Sequence, residues 1–278
     1  MKYPIVLTIA GSDSCGGAGI QADIKAISAT GSYAASAITA VTVQNTIGVQ
    51  SVFPIPPAVV AAQIEAVLSD IGADAIKIGM LHSTEVIMAI KEAITQHSLL
   101  SPNNIVLDPV MISTSGHRLI EESAIETLKK ELIPIANVIT PNIPEAEILA
   151  NTKITSQKDL AETAKRLSMD GHVSVLMKAG HALSDVLTDY FYNAKTGMMI
   201  ELPAKRCNTK NTHGTGCTLS SALASYLAQG YSIDDAAMAA KAYISKAIEA
   251  GANYKIGSGH GPVCHFFNLN ETSQASQS

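Results

Sequence analysis

The chain has 278 residues, a formal net charge of −5, 47% hydrophobic residues and 15% charged residues. That balance excludes a disordered chain and suits one large α/β domain with a substantial core. Aromatics make up only 4%, Trp is absent and no Lys/Arg cluster occurs, so neither base-stacking platforms nor a nucleic-acid-binding surface is expected.

The apolar start Ile5–Ala10 is too short for a signal segment and runs straight into Gly-Ser-Asp, so it reads as the first strand. No run approaches the ~20 apolar residues that span a bilayer, and no membrane association is expected. Further strands are predicted at Ala37–Val43, Ala75–Ile78, Ile105–Leu107, Val138–Thr140 and Val173–Met177. Between them lie helical patterns near Ala18–Thr30, Ala58–Asp70, Thr84–His97, Ser123–Leu132, Glu145–Ala150 and Gln157–Met169. This alternation predicts an α/β fold with a mostly parallel central sheet and helices on both faces. Val49–Pro54 ends in a proline cluster and reads as a flap or edge strand. Leu187–Tyr192 and Met198–Leu202 read as a late β-hairpin around residues 193–197. Helices Thr218–Gln229 and Ile233–Ala250, closed by Gly230 and Gly251, complete a single domain over residues 1–267. Residues 268–278 form a polar tail expected to fray. Cys15, Cys207, Cys217 and Cys264 are widely spaced with no C-x-x-C pair, which suits reduced thiols and a cytoplasmic location.

Ligands of an open parallel sheet bind beyond the carboxyl ends of its strands, so the loops that follow strands carry the chemistry. The run N-T-H-G-T-G-C-T at Asn211–Thr218 is the most informative. Gly214, Thr215 and Gly216 leave little side chain over a turn that opens a helix, where unpaired amides and the helix dipole favour phosphate or a developing oxyanion. Cys217 falls in the first helical turn, where a thiol is expected to lean toward thiolate. The competing reading is a glycine turn that merely lets a helix pack closely, with Cys217 as a small core residue. A second glycine-rich loop, A-G-S-D-S-C-G-G-A-G-I-Q-A-D, spans Ala10–Asp23. Gln44 lies at a loop mouth, where its carboxamide matches an aminopyrimidine edge or simply caps the turn. Later strands are followed by K-I-G-M (Lys77–Met80), D-P-V-M (Asp108–Met111), T-P-N-I-P-E (Thr140–Glu145) and M-K-A-G-H (Met177–His181).

In this order the motifs resemble the hydroxymethylpyrimidine/phosphomethylpyrimidine kinases of thiamine biosynthesis, within the ribokinase-like superfamily. The resemblance runs from about Ile5 to His265, and its most specific pieces are Ala10–Asp23, T-V-Q-N ending at Asn45, Asn208–Thr218 and G-x-G-P-V-x-H-F at Gly259–Phe266. It implies ATP-dependent phosphorylation of a small pyrimidine alcohol and then of its monophosphate. Gln44 would read the ring, with Asp23, Gly11 and the Val41 backbone shaping the acceptor pocket and Met80 lining it. Gly214, Thr215, Gly216 and Cys217 would form the anion hole, with Cys217 where many superfamily members carry an aspartate base. Asn142, Lys178 and Thr212 would lie at ATP, and Asp108 and Glu145 would organise Mg²⁺, partly through water; a monovalent-cation requirement is left open. Relatives commonly form homodimers, and Val49–Pro54 is the candidate edge.

Blander roles compete: Asp108 and Glu145 as caps or surface acids, Lys178 as a solvated charge, His213 as a loop-ordering residue, and Cys15, Cys207 and Cys264 as packing. The chain departs from the common pattern in the loop Ile112–Gly116, which lacks a lysine, and at Ala179, where many relatives have glycine. The missing lysine puts the second phosphorylation in question. The rival activities are a pyridoxal or pyridoxine kinase and a non-catalytic pyrimidine or nucleotide sensor.

Overall fold

The computed structural model describes residues 2–97, 104–112, 116, 119–178 and 186–269. The strands are β1 (Ile5–Asp13), β2 (Tyr33–Gln44), β3 (Val49–Pro54), β4 (Ala75–Ile78), β5 (Ile105–Leu107), β6 (Val138–Ile139), β7 (Ser174–Met177), β8 (Val186–Tyr192) and β9 (Met199–Lys205). The α-helices are α1 (Gly19–Ala29), α2 (Pro57–Asp70), α3 (Thr84–Gln96), α4 (Glu122–Thr127), α5 (Ile143–Ala150), α6 (Gln157–Leu167), α7 (Thr215–Ala228) and α8 (Ile233–Gly251). All nine strands join one sheet in the order β3-β2-β1-β4-β5-β6-β7-β8-β9. From β2 to β7 the neighbours are parallel, while β3, β8 and β9 add antiparallel margins.

The apolar strand runs have a direct cause. Both faces of the parallel part are covered, so β4 and β5 have no exposed residue. One core packs α2, α3, α4 and α6 on one face, through residues such as Ile64, Ile87 and Leu160. The other packs α1, α7 and α8 on the opposite face, through Ile27, Leu223 and Ile244. No helix among the described residues is long and apolar enough to cross a membrane.

Chain order reverses beside β1, because β2 lies on one side of it and β4 on the other. Such a reversal opens a crevice at the strands' carboxyl ends. The residues at that end are Gly11–Asp13, Gln44, Gly79–Met80, Asp108, Thr140–Asn142 and Lys178, and the amino terminus of α7 meets them there.

Three elements differ from expectation. The helix predicted over Ser123–Leu132 is α-helical only to Thr127, then widens into a π turn and tightens into a 3-10 turn at Ile133–Ile135. Pro134 has no N–H to donate and its ring crowds the preceding turn, so regular winding cannot continue. Helix α7 begins at Thr215, not Thr218, which puts Gly216 and Cys217 inside its first turn. Gly251 ends α8 from within and is not its left-handed cap; a Cβ there would lie 2.8 Å from the Cys264 amide nitrogen, so the missing side chain serves close packing. Gly230, by contrast, does adopt φ +90 after α7. Residues 268 and 269 finish a short helical turn. The rest of the tail, His181, Ala179 and most of the Ile112–Gly116 loop lie outside the described residues.

Candidate active site

Gly214 adopts φ +77, and the Thr218 amide closes the first turn of α7 onto the Gly214 carbonyl at 2.9 Å. The amides of Gly216 and Cys217 therefore precede the first regular helical bond and face the strand ends. Thr215 is partly engaged, donating to Thr212 O at 3.3 Å, and so Thr212 braces the turn from outside. A Cβ on Gly216 would lie 3.1 Å from Lys178 Nζ and 3.5 Å from Asp108 Oδ2. The absent side chain thus brings the amide turn, an ammonium and a carboxylate to one place.

Lys178 Nζ lies 2.7 Å from Asp108 Oδ1 and 3.9 Å from Glu145 Oε2. Thr140 Oγ1 also donates to Asp108 Oδ1, at 3.0 Å. Asn142 caps α5 in a reciprocal box: its Oδ1 accepts from the Glu145 amide and its own amide donates to Glu145 Oε2, both at 2.9 Å. Burial works against the Asp108 carboxylate, but the charges of Lys178 and Lys77 outweigh it and hold its pKa below the usual range. For Glu145 burial prevails, helped by Asp108 and opposed by Lys178, and its pKa rises to about 7. Burial would also lower the Lys178 pKa, yet Asp108 and Glu145 raise it above that of an ordinary lysine. Two hard oxygen donors around one fixed ammonium fit a divalent cation held partly through water.

Cys217 departs from the expected thiolate. Burial pushes its pKa up to about 11; the Lys77 charge opposes this, the Asp23 and Asp108 charges reinforce it, and the Gly19 amide at the start of α1 donates to the sulfur. Desolvation thus outweighs two helix amino termini, and the resting group is a thiol.

At the β2 end of the crevice, Gln44 closes its strand with its backbone fastened to Ser14, whose hydroxyl donates to Gln44 O at 2.7 Å and accepts from Gln44 N at 2.9 Å. Gly11 lies against Met80, since a Cβ there would be 2.9 Å from its sulfur. The Val41 side chain points out of the sheet, and only its backbone runs beside Ser12. Asp23 supports this end from beneath. Its wholly buried carboxylate accepts from Thr8, Ser221 and, at 2.9 Å for each oxygen, Lys77.

Lys77 and Asp13, which had no expected site role, and His213, expected to order its loop, help to build it. Lys77 is fully buried on β4, and removing either member of its pair with Asp23 would strand a charge at a cost of about 3–5 kcal/mol. A lysine inside the apolar run A-I-K-I was the available signal. The other two, Asp13 and His213, meet at 2.8 Å across the two glycine loops. With Cys15 they make the one group of three potential metal donors within 4.8 Å among the described residues. The Asp13 carboxylate already accepts from the Cys15, Gly17 and Ala18 amides and from His213.

Residues 13–264 match the family model described as phosphomethylpyrimidine kinase. The hydroxymethylpyrimidine/phosphomethylpyrimidine kinase of Rhizobium meliloti is 45% identical over 94% of this chain and 97% of its own length. The chain covers 52% of the thiamine biosynthesis bifunctional protein of Geobacter sulfurreducens, at 46% identity. Among solved structures, the phosphomethylpyrimidine kinase of Clostridium difficile aligns with TM-score 0.77 and 44% identity, over 88% of this chain and all of that one. A Staphylococcus aureus pyridoxal kinase in complex with AMP-PCP and pyridoxal aligns with TM-score 0.86 and 34% identity, over 97% of this chain and 96% of that one.

A thiol with a pKa of about 11 carries little thiolate near neutrality. Alkylation of Cys217 by iodoacetamide at pH 8, followed by peptide mass spectrometry, is expected to run on the order of 100-fold slower than that of a free cysteine. Labelling at the rate of a free cysteine would show that the two helix termini prevail over burial.

Proposed function

The chain belongs to the phosphomethylpyrimidine kinase family, and from that membership we propose that it transfers the γ-phosphoryl group of ATP to the hydroxymethyl of 4-amino-5-hydroxymethyl-2-methylpyrimidine. The same pocket then phosphorylates the monophosphate to the diphosphate, within thiamine biosynthesis. The observation that carries this reading is the meeting of the Gly214–Cys217 turn with Lys178 and Asp108, with Gln44 at the end of β2 on the same side of the sheet.

Phosphoryl transfer asks for positioning and charge neutralisation more than for a strong base. The amides of Gly216 and Cys217 would receive charge that develops on the transferred group, as oxyanion donors do. Lys178, pinned by Asp108, would hold the ATP phosphates, with Asn142 and Thr212 at the edges of the nucleotide site. Asp108 and Glu145 would hold Mg²⁺, which when bound neutralises phosphate charge. The Cys217 thiol would orient the acceptor hydroxyl, whose proton leaves as the new P–O bond forms and passes to a phosphoryl oxygen. Gln44 would pair with the pyrimidine edge above a floor built by Gly11, Met80 and, from below, Asp23.

Incubation with ATP, Mg²⁺ and the pyrimidine alcohol is expected to yield both monophosphate and diphosphate by mass. ADP release that does not depend on acceptor would favour the sensor reading. Pyridoxal is the second acceptor to test, because pyridoxal kinases align at TM-scores up to 0.87; turnover of pyridoxal tenfold above the pyrimidine would reverse the choice. Cys217→Ala is expected to lower kcat by about 10- to 100-fold with KM for acceptor nearly unchanged, as for a group that positions the reacting hydroxyl. Gln44→Ala should raise KM for the pyrimidine and leave ATP binding intact.

A second copy of the chain would cover β3. This edge strand presents unpaired backbone groups, and its Phe53 is 69% exposed beside its cross-strand neighbour Val41. Phe53→Glu should convert a dimer to a monomer in sedimentation velocity while circular dichroism stays that of the folded chain. A dimer that survives the change would place the interface elsewhere.

A further inference from the structure

We propose that the buried Asp13–His213 pair is a positioning clamp that locks the β1–α1 loop onto the phosphate-receiving turn and sets Gln44 against it. Acceptor recognition and the amide turn then move as one hydrogen-bonded unit. The inference rests on the kinase reading of the site and adds to it two residues that do not touch the reacting atoms.

The pair joins positions 200 apart in sequence, with Asp13 Oδ2 at 2.8 Å from His213 Nε2. Both side chains are buried, and among the described residues neither has another acid or base as an ion-pair partner. Asp13 does two things at once. Its Oδ1 accepts from Cys15 N, and its Oδ2 accepts from Gly17 N and Ala18 N, at 2.8, 3.0 and 2.8 Å. One carboxylate therefore shapes the whole loop and also holds the imidazole.

The imidazole lies against the loop it is bonded to. A Cβ on Gly17 would fall 2.4 Å from His213 Cδ2, and a Cβ on Gly214 would fall 1.8 Å from Gly17 O. The next residue after His213 thus rests its α-carbon on the carbonyl of the loop that Asp13 shapes. On its other side, the His213 backbone is tied to Gly261 by an N–H···O bond of 3.0 Å. Gln44 closes the arrangement: its Nε2 lies 3.4 Å from His213 Nε2, and its main chain is held by Ser14 from the same loop. Moving His213 would release the amide turn and, through the Ser14 loop that Asp13 shapes, the main chain that carries Gln44.

His213→Leu keeps the bulk and removes the bond, whereas His213→Gln can return an N–H near the position of Nε2. With whichever acceptor the wild-type enzyme turns over, His213→Leu is expected to lower kcat by about 10- to 100-fold, the scale of a small misplacement of reacting groups. It should also raise KM for the acceptor several-fold, with ATP affinity, read by calorimetry, nearly unchanged. His213→Gln should recover most of both losses. A purely structural role would instead lower activity and melting temperature in proportion, without rescue by glutamine, and that result overturns the clamp. Hydrogen–deuterium exchange supplies a readout that needs no turnover. Peptides covering residues 13–21 and 212–219 should both exchange faster in His213→Leu and in Asp13→Asn, and unchanged exchange in either segment also overturns the proposal. A wild-type protein that phosphorylates neither pyrimidine nor pyridoxal would defeat the kinase reading, while the exchange experiment would still decide the clamp.

Discussion

Two loops touch backbone to backbone, and the site depends on that contact. There is no space for any side chain at Gly214, because the Gly17 carbonyl oxygen lies 1.8 Å from where a Cβ would be. The left-handed φ at Gly214 adds a second reason for glycine. With this contact made, α1 and α7 bring their amino termini to the same sulfur, and Gly216 comes to rest beside Lys178 and Asp108. Any residue larger than glycine would push the turn away from the strand ends. The amides would then face solvent, not the crevice where chain order reverses.

Charge is balanced tightly around that contact. Among the described residues, Asp23, Asp108 and Glu145 are buried close to only two ammonium groups, those of Lys77 and Lys178. Lys77 is spent on Asp23 and Lys178 chiefly on Asp108, so the third carboxylate has the weakest compensation, and its pKa of about 7 follows. The thiol obeys the same arithmetic. One lysine pulls its pKa down, two aspartates push it up, and burial decides the outcome near 11. The positive potential that the site would offer a phosphate therefore rests on oriented amides and Lys178, a field that would need no rearrangement as charge develops.

Much of this arrangement could be read in the chain before any coordinates. The buried β-branched runs had only one reasonable role, strands covered on both faces, and the meeting of Asp108, Glu145 and Lys178 could be expected because each directly follows a strand or opens a helix at its end. What escaped was interior and long-range. Lys77 stands in the middle of a strand, where nothing local says that Asp23 waits on α1, 54 positions earlier. The Asp13–His213 pair depends on β1 and α7 sharing a crevice, a fact of topology and not of spacing. The thiolate expectation failed for a related reason. Position in a first helical turn is a local property, whereas desolvation is set by everything packed around it.

In the proposed reading, the choice between two flat heteroaromatic acceptors would turn on the carboxamide of Gln44. Thr42 Oγ1 has one hydrogen and two acceptors in reach, Ser12 O at 2.9 Å and Gln44 Oε1 at 3.1 Å. When Thr42 donates to Ser12, Gln44 Oε1 is left to accept from an exocyclic amine. His213 Nε2 donates to Asp13, so it offers no lone pair to the Gln44 NH₂, which is free to donate to a ring nitrogen. A 4-aminopyrimidine carries that amine and that nitrogen side by side and can make both bonds at once. Pyridoxal has a methyl-bearing carbon between its ring nitrogen and the carbon that carries its phenolic oxygen, so the two are not side by side and one carboxamide would satisfy only one of them. At about 0.5–1.5 kcal/mol for the lost bond, the difference would favour the pyrimidine by up to roughly an order of magnitude.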